Sequence, residues 1–249
     1  MFSFKNESEK KGKEVIKNLY FFSEKQMLDC NQYIIENQST KELILFDAGN
    51  GISMTGLIKG MDKFNLNYEN ITKVFLTHEH VDHVLGIYKL MKLLENNPPE
   101  IFAYGETAKI LEKGEERKIL PVFFGLTANR FGIEIIPLKI NDLSNQKEIS
   151  ISPEFTFEII YTPGHSLGSI CYYDSEKKIL ISGDLVFTGG SFGRYDLPGG
   201  SLKKLVNSIK YVNGLDVKYL LPGHMGISDQ GNQQITYSYR IIQSISSIY

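Results

Sequence analysis

Apolar and polar residues along the chain follow two periods, one typical of strands and one typical of helices. Short runs rich in Ile, Tyr, Phe and other apolar residues predict strands at 16–22, 30–36, 43–46, 73–76, 101–104, 131–136, 154–160, 168–173, 178–183 and 217–221. Apolar residues at helical spacing predict helices at 53–65, 84–94, 106–113, 201–210 and 230–246. Strands and helices are therefore interleaved along the whole chain.

The stretches between these elements differ in character. Residues 5–14 are mostly Lys, Glu and Asn and are expected to be a solvated lead-in, and the charge run at 112–118 is expected to be a solvated turn. A polar connection is expected near 141–150 and a glycine-rich loop at 188–200. The apolar but aperiodic stretch within 119–131, which includes Phe123 and Phe124, predicts a packed loop or a lid.

No repeat and no low-complexity linker divides the 249 residues. One domain over 1–249 is predicted, with a core at about 15–226 and a C-terminal helix at about 230–246. The hydrophobic content is 42% and the formal charge is −2, so no overall field favours nucleic acid. The N-terminus lacks a signal-peptide core and no apolar run reaches the length of a membrane span, so a cytoplasmic protein with no membrane partner is expected. Oligomeric state stays open.

Two cysteines, Cys30 and Cys171, lie in apolar strand-like sequence. Two buried free thiols are expected, and a disulfide stays open.

Histidine is rare, and it occurs at the ends of predicted strands. The chain has five histidines, and three of them lie in one seven-residue stretch, Thr77-His78-Glu79-His80-Val81-Asp82-His83. The other two, His165 and His224, each close a Pro-Gly-His corner after a strand-like run, and Asp184 ends another such run. One histidine at a strand end is usually structural, but the shared position of all five predicts a metal site.

The ligand types and their spacing narrow this site. His78 and His80 are two apart, so an extended backbone directs both to one side. Asp82 and His83 follow where the next helix begins, and free amides there favour a carboxylate. Imidazole and carboxylate suit zinc, iron or manganese. Five His and two Asp exceed the four ligands of one tetrahedral zinc. They suit two metals roughly 3.5–4 Å apart, with Asp184 as a bridge.

The motif His-x-His-x-Asp-His, followed by His165, Asp184 and His224 in this order, resembles that of the metallo-β-lactamase fold superfamily. The resemblance covers about residues 30–226. It implies an α/β fold of the αββα type, with two facing mixed β-sheets and helices on the outer faces. It also implies a division of ligands: the first metal is held by His78, His80 and His165, the second by Asp82, His83 and His224, and Asp184 bridges. Asp82 and Asp184 are the candidate catalytic carboxylates.

Gly193-Arg194-Tyr195-Asp196 and the following Leu-Pro-Gly-Gly resemble a loop of hydroxyacylglutathione hydrolases (glyoxalase II-like proteins), in the form found in short prokaryotic members. Tyr195 replaces the usual Thr, and persulfide dioxygenases carry a related loop. An ion pair of Arg194 with Asp196 that holds the loop is favoured over substrate contact. Arg194 and Tyr173 remain candidate substrate contacts, although packing is the favoured role for Tyr173.

The resemblance implies a thioester hydrolase with two divalent metal ions, zinc first and iron or manganese as alternatives. A hydroxide between the metals would attack a small-molecule thioester, and the leaving thiolate needs no strong acid. The alternative is a mono-iron persulfide dioxygenase that uses His78, His165 and Asp184. A lactonase is less favoured, because lactonases of this superfamily have Tyr where Phe187 stands. A nucleic-acid phosphodiesterase is less favoured, because no basic arm is evident.

Overall fold

The structure is a computed structural model, and it describes residues 9–25, 28–120, 125 and 127–247. The strands in that part of the chain are β1 (Gly12–Ile16), β2 (Leu19–Phe22), β3 (Gln32–Glu36), β4 (Leu43–Phe46), β5 (Ile71–Phe75), β6 (Glu100–Ala103), β7 (Asn141–Asp142), β8 (Glu148–Ser152), β9 (Phe155–Tyr161), β10 (Ile170–Asp174), β11 (Ile179–Gly183) and β12 (Tyr219–Pro222). The helices are α1 (Met54–Asp62), α2 (Val81–Leu93), α3 (Gly105–Lys113), α4 (Glu116–Ile119), α5 (Leu202–Val212) and α6 (Gly231–Ser246). Short 3₁₀ turns lie at Tyr68–Asn70, Ala128–Phe131 and Thr188–Gly190.

The chain divides into two compact units whose segments alternate along the sequence. Unit 1 comprises the described residues up to 76, together with 80–102 and 110–141. Unit 2 comprises 77–79, 103–109 and the described residues from 142 onward. A single domain over 1–249 remains a prediction.

A seven-stranded mixed sheet takes its strands in sequence order, β1 to β7. Strands β1 to β4 pair antiparallel, whereas β4, β5 and β6 are parallel. Parallel neighbours need a crossover, and α1 and α2 supply the crossovers after β4 and β5. Phe46, Phe75 and Phe102 stack across these three strands, with ring centroids 5.6 and 4.4 Å apart. The stack holds the strand that leads into the histidine motif.

A five-stranded mixed sheet in unit 2 has the order β12-β11-β10-β9-β8. The β11–β12 pair is parallel and the other pairs are antiparallel. Strands β9, β11 and β12 therefore run in one direction, and their carboxyl ends lie at one edge of the sheet. The apolar core of unit 2 is formed by this sheet, α5 and α6. It includes Leu180, Leu205, Ile209, Leu220, Ile235 and Ile242.

The prediction of a solvated N-terminal stretch holds for Lys11, Lys13 and Glu14, which are exposed, but it is wrong for Lys10 and for the strand that forms there. Lys10 is fully buried. Its Nζ lies 2.8 Å from Oδ2 of Asp29 and donates to Oε1 of Gln32 at 2.7 Å. Strand β1 begins at Gly12, and the predicted strand at 16–22 is the second half of a hairpin with Asn18 at φ 68°. Paired charges can be buried, and a local pattern does not reveal the partner.

The predicted strand at 131–136 is also wrong. The chain there forms the 3₁₀ turn Ala128–Phe131, then Gly132 at φ 68° and an irregular path in which Ile133, Leu138 and Ile140 are buried. The predicted polar connection at 141–150 contains β7 and the start of β8, and the charge run at 112–118 contains the start of α4. Of the stretch predicted as a packed loop or a lid, 121–124 and 126 lie outside the described residues, including Phe123 and Phe124.

The other predicted strands and helices are confirmed, most of them to within two residues at each end. Cys30 and Cys171 are buried free thiols, as expected, and burial raises their pKa values to about 11 and about 12. Among the described residues, no helix has the length and apolar character that crossing a membrane requires.

Candidate metal centre

The histidine motif lies at a strand-to-helix corner. It follows β5, and its last residues form the first turn of α2. The side chains of His78, His80 and His83 are buried. His80 is the N-cap of α2 with an extended backbone, and Asp82 lies in the first turn, where the positive helix end favours a carboxylate. His78 belongs to unit 2, whereas His80, Asp82 and His83 belong to unit 1.

In unit 1, a buried carboxylate orients the His83 ring. Nδ1 of His83 donates to Oδ2 of Asp47 at 2.8 Å. An ionised carboxylate only accepts, so the proton of the neutral ring lies on Nδ1 and the lone pair on Nε2. Oδ2 of Asp82 lies 3.9 Å from that Nε2. This is the tautomer that a metal ligand needs, and a carboxylate behind a ligating histidine raises its basicity.

The role of Asp47 was not predicted from the sequence. Asp47 follows the fully buried β4 and has φ 55°, and its N–H donates to the carbonyl of Phe75 at the end of the parallel neighbour β5. The N–H of Ala48 donates to the carbonyl of His83. An acidic residue directly after a buried strand beside the strand of the motif was the available signal.

The thiol of Cys30 lies beside this pair. Its Sγ and ligand atoms of Asp47 and His83 all lie within 4.8 Å of one another. Because burial raises the pKa of Cys30 to about 11, the thiol stays protonated near neutral pH. Metal ligation requires the thiolate, so Cys30 is a neutral neighbour of the Asp47–His83 pair.

In unit 2, three candidate ligands follow three strands that run in one direction. His165 follows β9 through Thr162-Pro163-Gly164, Asp184 directly follows β11, and His224 follows β12 through Gly223. The carboxyl ends of these strands lie at one edge of the five-stranded sheet. The expectation that these side chains come together is met within this unit.

The carboxylate of Asp184 lies between two of these histidines. Its Oδ2 is 3.5 Å from Nε2 of His165 and 3.3 Å from Nε2 of His224. The rings of His78 and His165 meet edge to face with centroids 4.8 Å apart. Four of the seven predicted ligands are thus neighbours in unit 2, while Asp82 and His83 are neighbours in unit 1.

The orientation of His165 shows that this donor set suits a cation. Its Nδ1 lies 2.7 Å from the carbonyl oxygen of Arg194, which only accepts, so Nδ1 carries a proton. In the neutral ring, the lone pair of Nε2 then faces the Asp184 carboxylate. Two electron-rich atoms face each other stably only with a cation or a proton between them. Imidazole nitrogen and carboxylate oxygen are ligands that divalent zinc, iron and manganese accept.

Gly193 makes this orientation possible. A Cβ at this position would lie 1.9 Å from the carbonyl oxygen of Asp184 and 3.0 Å from Nδ1 of His165. Only glycine lets the loop approach closely enough for the next carbonyl, that of Arg194, to accept from His165. The Gly-Arg pair of the loop therefore acts through its backbone.

The ion pair of Arg194 and Asp196 is confirmed. Nε and Nη2 of Arg194 donate to the two carboxylate oxygens at 2.9 and 2.7 Å, and this hydrogen bonding lowers the pKa of Asp196. Both side chains are exposed. Tyr173 is not placed for substrate contact: it is buried in the core of unit 2, where its hydroxyl donates to the carbonyl of Asp216 at 3.0 Å.

Comparisons with known proteins agree with this picture. Hydroxyacylglutathione hydrolase GloC of Haemophilus influenzae is 33% identical over 156 residues, which are 62% of this chain and 66% of that protein. The probable metallo-hydrolase MJ0888 of Methanocaldococcus jannaschii is 33% identical over 204 residues, 80% of this chain and 89% of that protein. The crystal structure of TTHA1623 in a di-iron-bound form superposes with a TM-score of 0.64 at 27% identity, covering 84% of this chain and 94% of that one.

The α/β fold with two mixed sheets is shared with the structure of TTHA1623, as expected. The family model of the metallo-β-lactamase superfamily matches residues 27–224, a range that contains all seven predicted ligands. The chain therefore belongs to the metallo-β-lactamase superfamily.

Proposed function

We propose that the chain hydrolyses a small-molecule thioester of the hydroxyacylglutathione type at one centre for two divalent metal ions. The proposed ligands are His78, His80 and His165 for the first ion, Asp82, His83 and His224 for the second, and Asp184 for both. Zinc is the proposed metal, and iron and manganese are alternatives that the same ligands accept.

The observation that carries the proposal is the position of Asp184. Its Oδ2 is within 3.5 Å of the Nε2 atoms of two histidines, each of which is assigned to a different ion. A carboxylate in that position has the two oxygens that a shared ligand needs. Two bound ions of this kind would lower the pKa of a water and polarise the acyl carbonyl.

The surroundings of His224 favour a substrate with a good leaving group. Phe187 lies three residues after Asp184 and packs edge-on against the His224 ring, with centroids 5.6 Å apart. Phenylalanine has no proton to give. When the acyl carbon–sulfur bond breaks, the sulfur leaves as a thiolate whose ordinary pKa is about 8.5, so it needs no acid there. An alkoxide leaving group is far more basic, which makes a lactone a poorer substrate.

The glutathione carrier is proposed from likeness. The Gly193–Asp196 loop is similar to the loop of hydroxyacylglutathione hydrolases, and the relative named GloC carries that activity in its name. The exposed guanidinium of Arg194 is already paired with Asp196. We therefore propose that Arg194 shapes the loop and holds its carbonyl against His165, and that it makes no direct contact with the substrate.

One paired experiment tests this function. The purified protein is analysed for bound metal, and hydrolysis of S-lactoylglutathione is assayed beside oxygen uptake with glutathione persulfide. We expect two metal ions per chain and thioester turnover, with Asp184→Asn inactive and His83→Ala reduced at least about 100-fold. One iron per chain, oxygen uptake and inert thioesters would refute the hydrolase and favour the dioxygenase.

The matched control is Asp196→Asn, which weakens the exposed ion pair but leaves the proposed ligands intact. We expect it to lower kcat/KM less than about tenfold, because an exposed ion pair contributes at most about 1 kcal/mol. If Asp196→Asn lowered kcat/KM as much as His83→Ala does, the loop would take a direct part in catalysis, which the proposed ligand assignment does not include.

A further inference from the structure

The carboxylate of Glu79 is buried in a network of hydroxyl groups that the proposed chemistry does not use. Glu79 stands between His78 and His80 in the sequence and is 5% exposed. Its Oε2 accepts from Oγ1 of Thr107 at 2.8 Å and from Oγ of Ser166 at 2.9 Å. Both hydroxyl residues are fully buried. All of these contacts lie within unit 2.

The protons in this network have one possible direction. An ionised carboxylate only accepts, so the single hydroxyl proton of Ser166 is directed at Glu79. Oγ of Ser169 lies 2.9 Å from Oγ of Ser166 and must therefore donate to it. Oγ of Ser169 in turn accepts from the backbone N–H of Ser166. Hydrogen bonds therefore run from Ser169 to Ser166 and from Ser166 to Oε2 of Glu79. Thr107 donates to the same carboxylate oxygen.

The backbone at Gly168 leaves the space that this network occupies. A Cβ on Gly168 would lie 2.0 Å from Oγ1 of Thr107 and 3.0 Å from Oε2 of Glu79. No side chain fits there while Thr107 keeps its place. Among the described residues, the hydrogen-bond partners of the Glu79 carboxylate are neutral hydroxyls, and no cationic side chain pairs with it. The carboxylate therefore serves here as an acceptor for two buried hydroxyl groups.

The network joins the neighbours of two proposed ligands. Glu79 directly follows His78, and Ser166 directly follows His165, whose ring meets that of His78 with centroids 4.8 Å apart. Adjacent Cα atoms are fixed about 3.8 Å apart by the peptide bond. A hydrogen bond from Ser166 to Glu79 therefore limits how far the two histidines can separate.

We propose that Glu79 is a positioning residue that sets the spacing of His78 and His165, and thereby the affinity of the metal position that these two histidines serve. This inference rests on the proposed two-metal centre. Glu79 acts through the backbone of its neighbours and does not contact the ion. Its effect is therefore on the binding constant of one ion, and the other ion is much less affected.

The test compares metal affinity across six variants of the full chain. Metal-free protein is titrated with zinc against a chromophoric chelator to obtain two binding constants, and His78→Ala identifies the constant that belongs to the first position. We expect Glu79→Ala to weaken that constant about 100-fold, and Thr107→Val and Ser166→Ala about tenfold each, as for other groups that support ligands. We expect Glu79→Gln to stay within about threefold, because its amide oxygen still accepts both hydroxyl protons.

Thr236→Val is the matched control for Thr107→Val. Thr236 lies on α6 and also donates from its hydroxyl within unit 2, to Oδ1 of Asn213 at 2.8 Å directly after α5, but it neighbours no proposed ligand in the sequence. We expect both of its zinc constants to match those of the wild type. Circular dichroism of the metal-free proteins shows which variants fold. If Glu79→Ala does not fold, Thr107→Val and Ser166→Ala still test the inference.

Three results would overturn the inference, and they can be told apart. If the wild type binds two zinc ions and the folded variants at Glu79, Thr107 and Ser166 bind them equally well, the positioning role is refuted and the proposed function stands. If the wild type binds no metal, the proposed function fails and the positioning role fails with it. Equal weakening by Thr236→Val would show a general loss of stability and would also refute the positioning role.

Discussion

Replacing Gly193 with alanine tests whether the loop approaches the ligands as closely as the structure shows. The new Cβ would lie 1.9 Å from the carbonyl oxygen of Asp184, whereas an ordinary contact needs at least 3.4 Å. Backbone must therefore move by about 1.5 Å (3.4 less 1.9). The same Cβ would lie 3.0 Å from Nδ1 of His165, which loses its fixed acceptor, the Arg194 carbonyl, if the loop withdraws.

The size of the effect follows from that displacement. A misplacement of about 1 Å at a catalytic group costs on the order of 100-fold in rate, so we expect kcat/KM for thioester hydrolysis to fall by at least that factor. Overpacking of this kind also destabilises by about 1–3 kcal/mol, which a urea titration measures separately. The rate is therefore compared at a temperature where both proteins are folded by circular dichroism.

Gly226→Ala is the matched control, because a Cβ at Gly226 meets no atom within 4 Å. It introduces the same methyl group two residues after His224 and should leave kcat/KM within about threefold. If Gly193→Ala were as active as Gly226→Ala, the loop would not approach Asp184 as described, and the role of the Arg194 carbonyl would be refuted.

Three further predictions concern buried groups. Asp47→Asn should weaken the metal position that His83 serves about tenfold, measured by chelator competition, because the carboxylate behind the ring is lost; an unchanged constant would contradict it. Lys10→Met should lower the free energy of unfolding by about 3–5 kcal/mol in urea, since it leaves Asp29 buried without its cation; combining it with Asp29→Leu should recover part of the loss, and an additive loss would refute the ion-pair explanation. The two buried thiols should resist a disulfide reagent at pH 8 in the folded protein and react only in denaturant, because their pKa values are raised to about 11 and about 12; reaction of the folded protein within seconds would contradict their burial.

The candidate ligands could be predicted from sequence because they depend on short-range signals. His165, Asp184 and His224 each follow an apolar run directly or through a Pro-Gly turn. Because the strands before these residues run in one direction, their carboxyl ends lie at one edge of the sheet. No knowledge of distant contacts is needed to expect the three side chains there. The motif at 77–83 can be recognised more easily still, because all its residues lie in one strand-to-helix corner.

The groups that support the ligands could not be predicted, because their partners are distant in sequence. Glu79 meets hydroxyls from Thr107 and Ser166, and Asp47 meets His83 across two parallel strands. The same reason explains the error at the N-terminus, where the burial of Lys10 depends on its ion pair with Asp29.

The error at 131–136 has a different cause. The run is apolar enough for a strand, but it contains Gly132 in the left-handed region, and Pro137, which has no N–H, follows it. Apolar composition alone did not tell a strand from an irregular segment that buries only some of its residues, such as Ile133 and Leu138.

The order of the strands has a consequence for synthesis on the ribosome. Strands β1 to β7 pair in the order in which they are made, and in the second sheet β8 to β12 also lie side by side in order. Each new strand therefore finds its neighbour already present, which keeps the entropy of loop closure small. On the proposed ligand set, His224 is the last ligand to leave the ribosome. Both sheets can therefore pair before the proposed ligand set is complete.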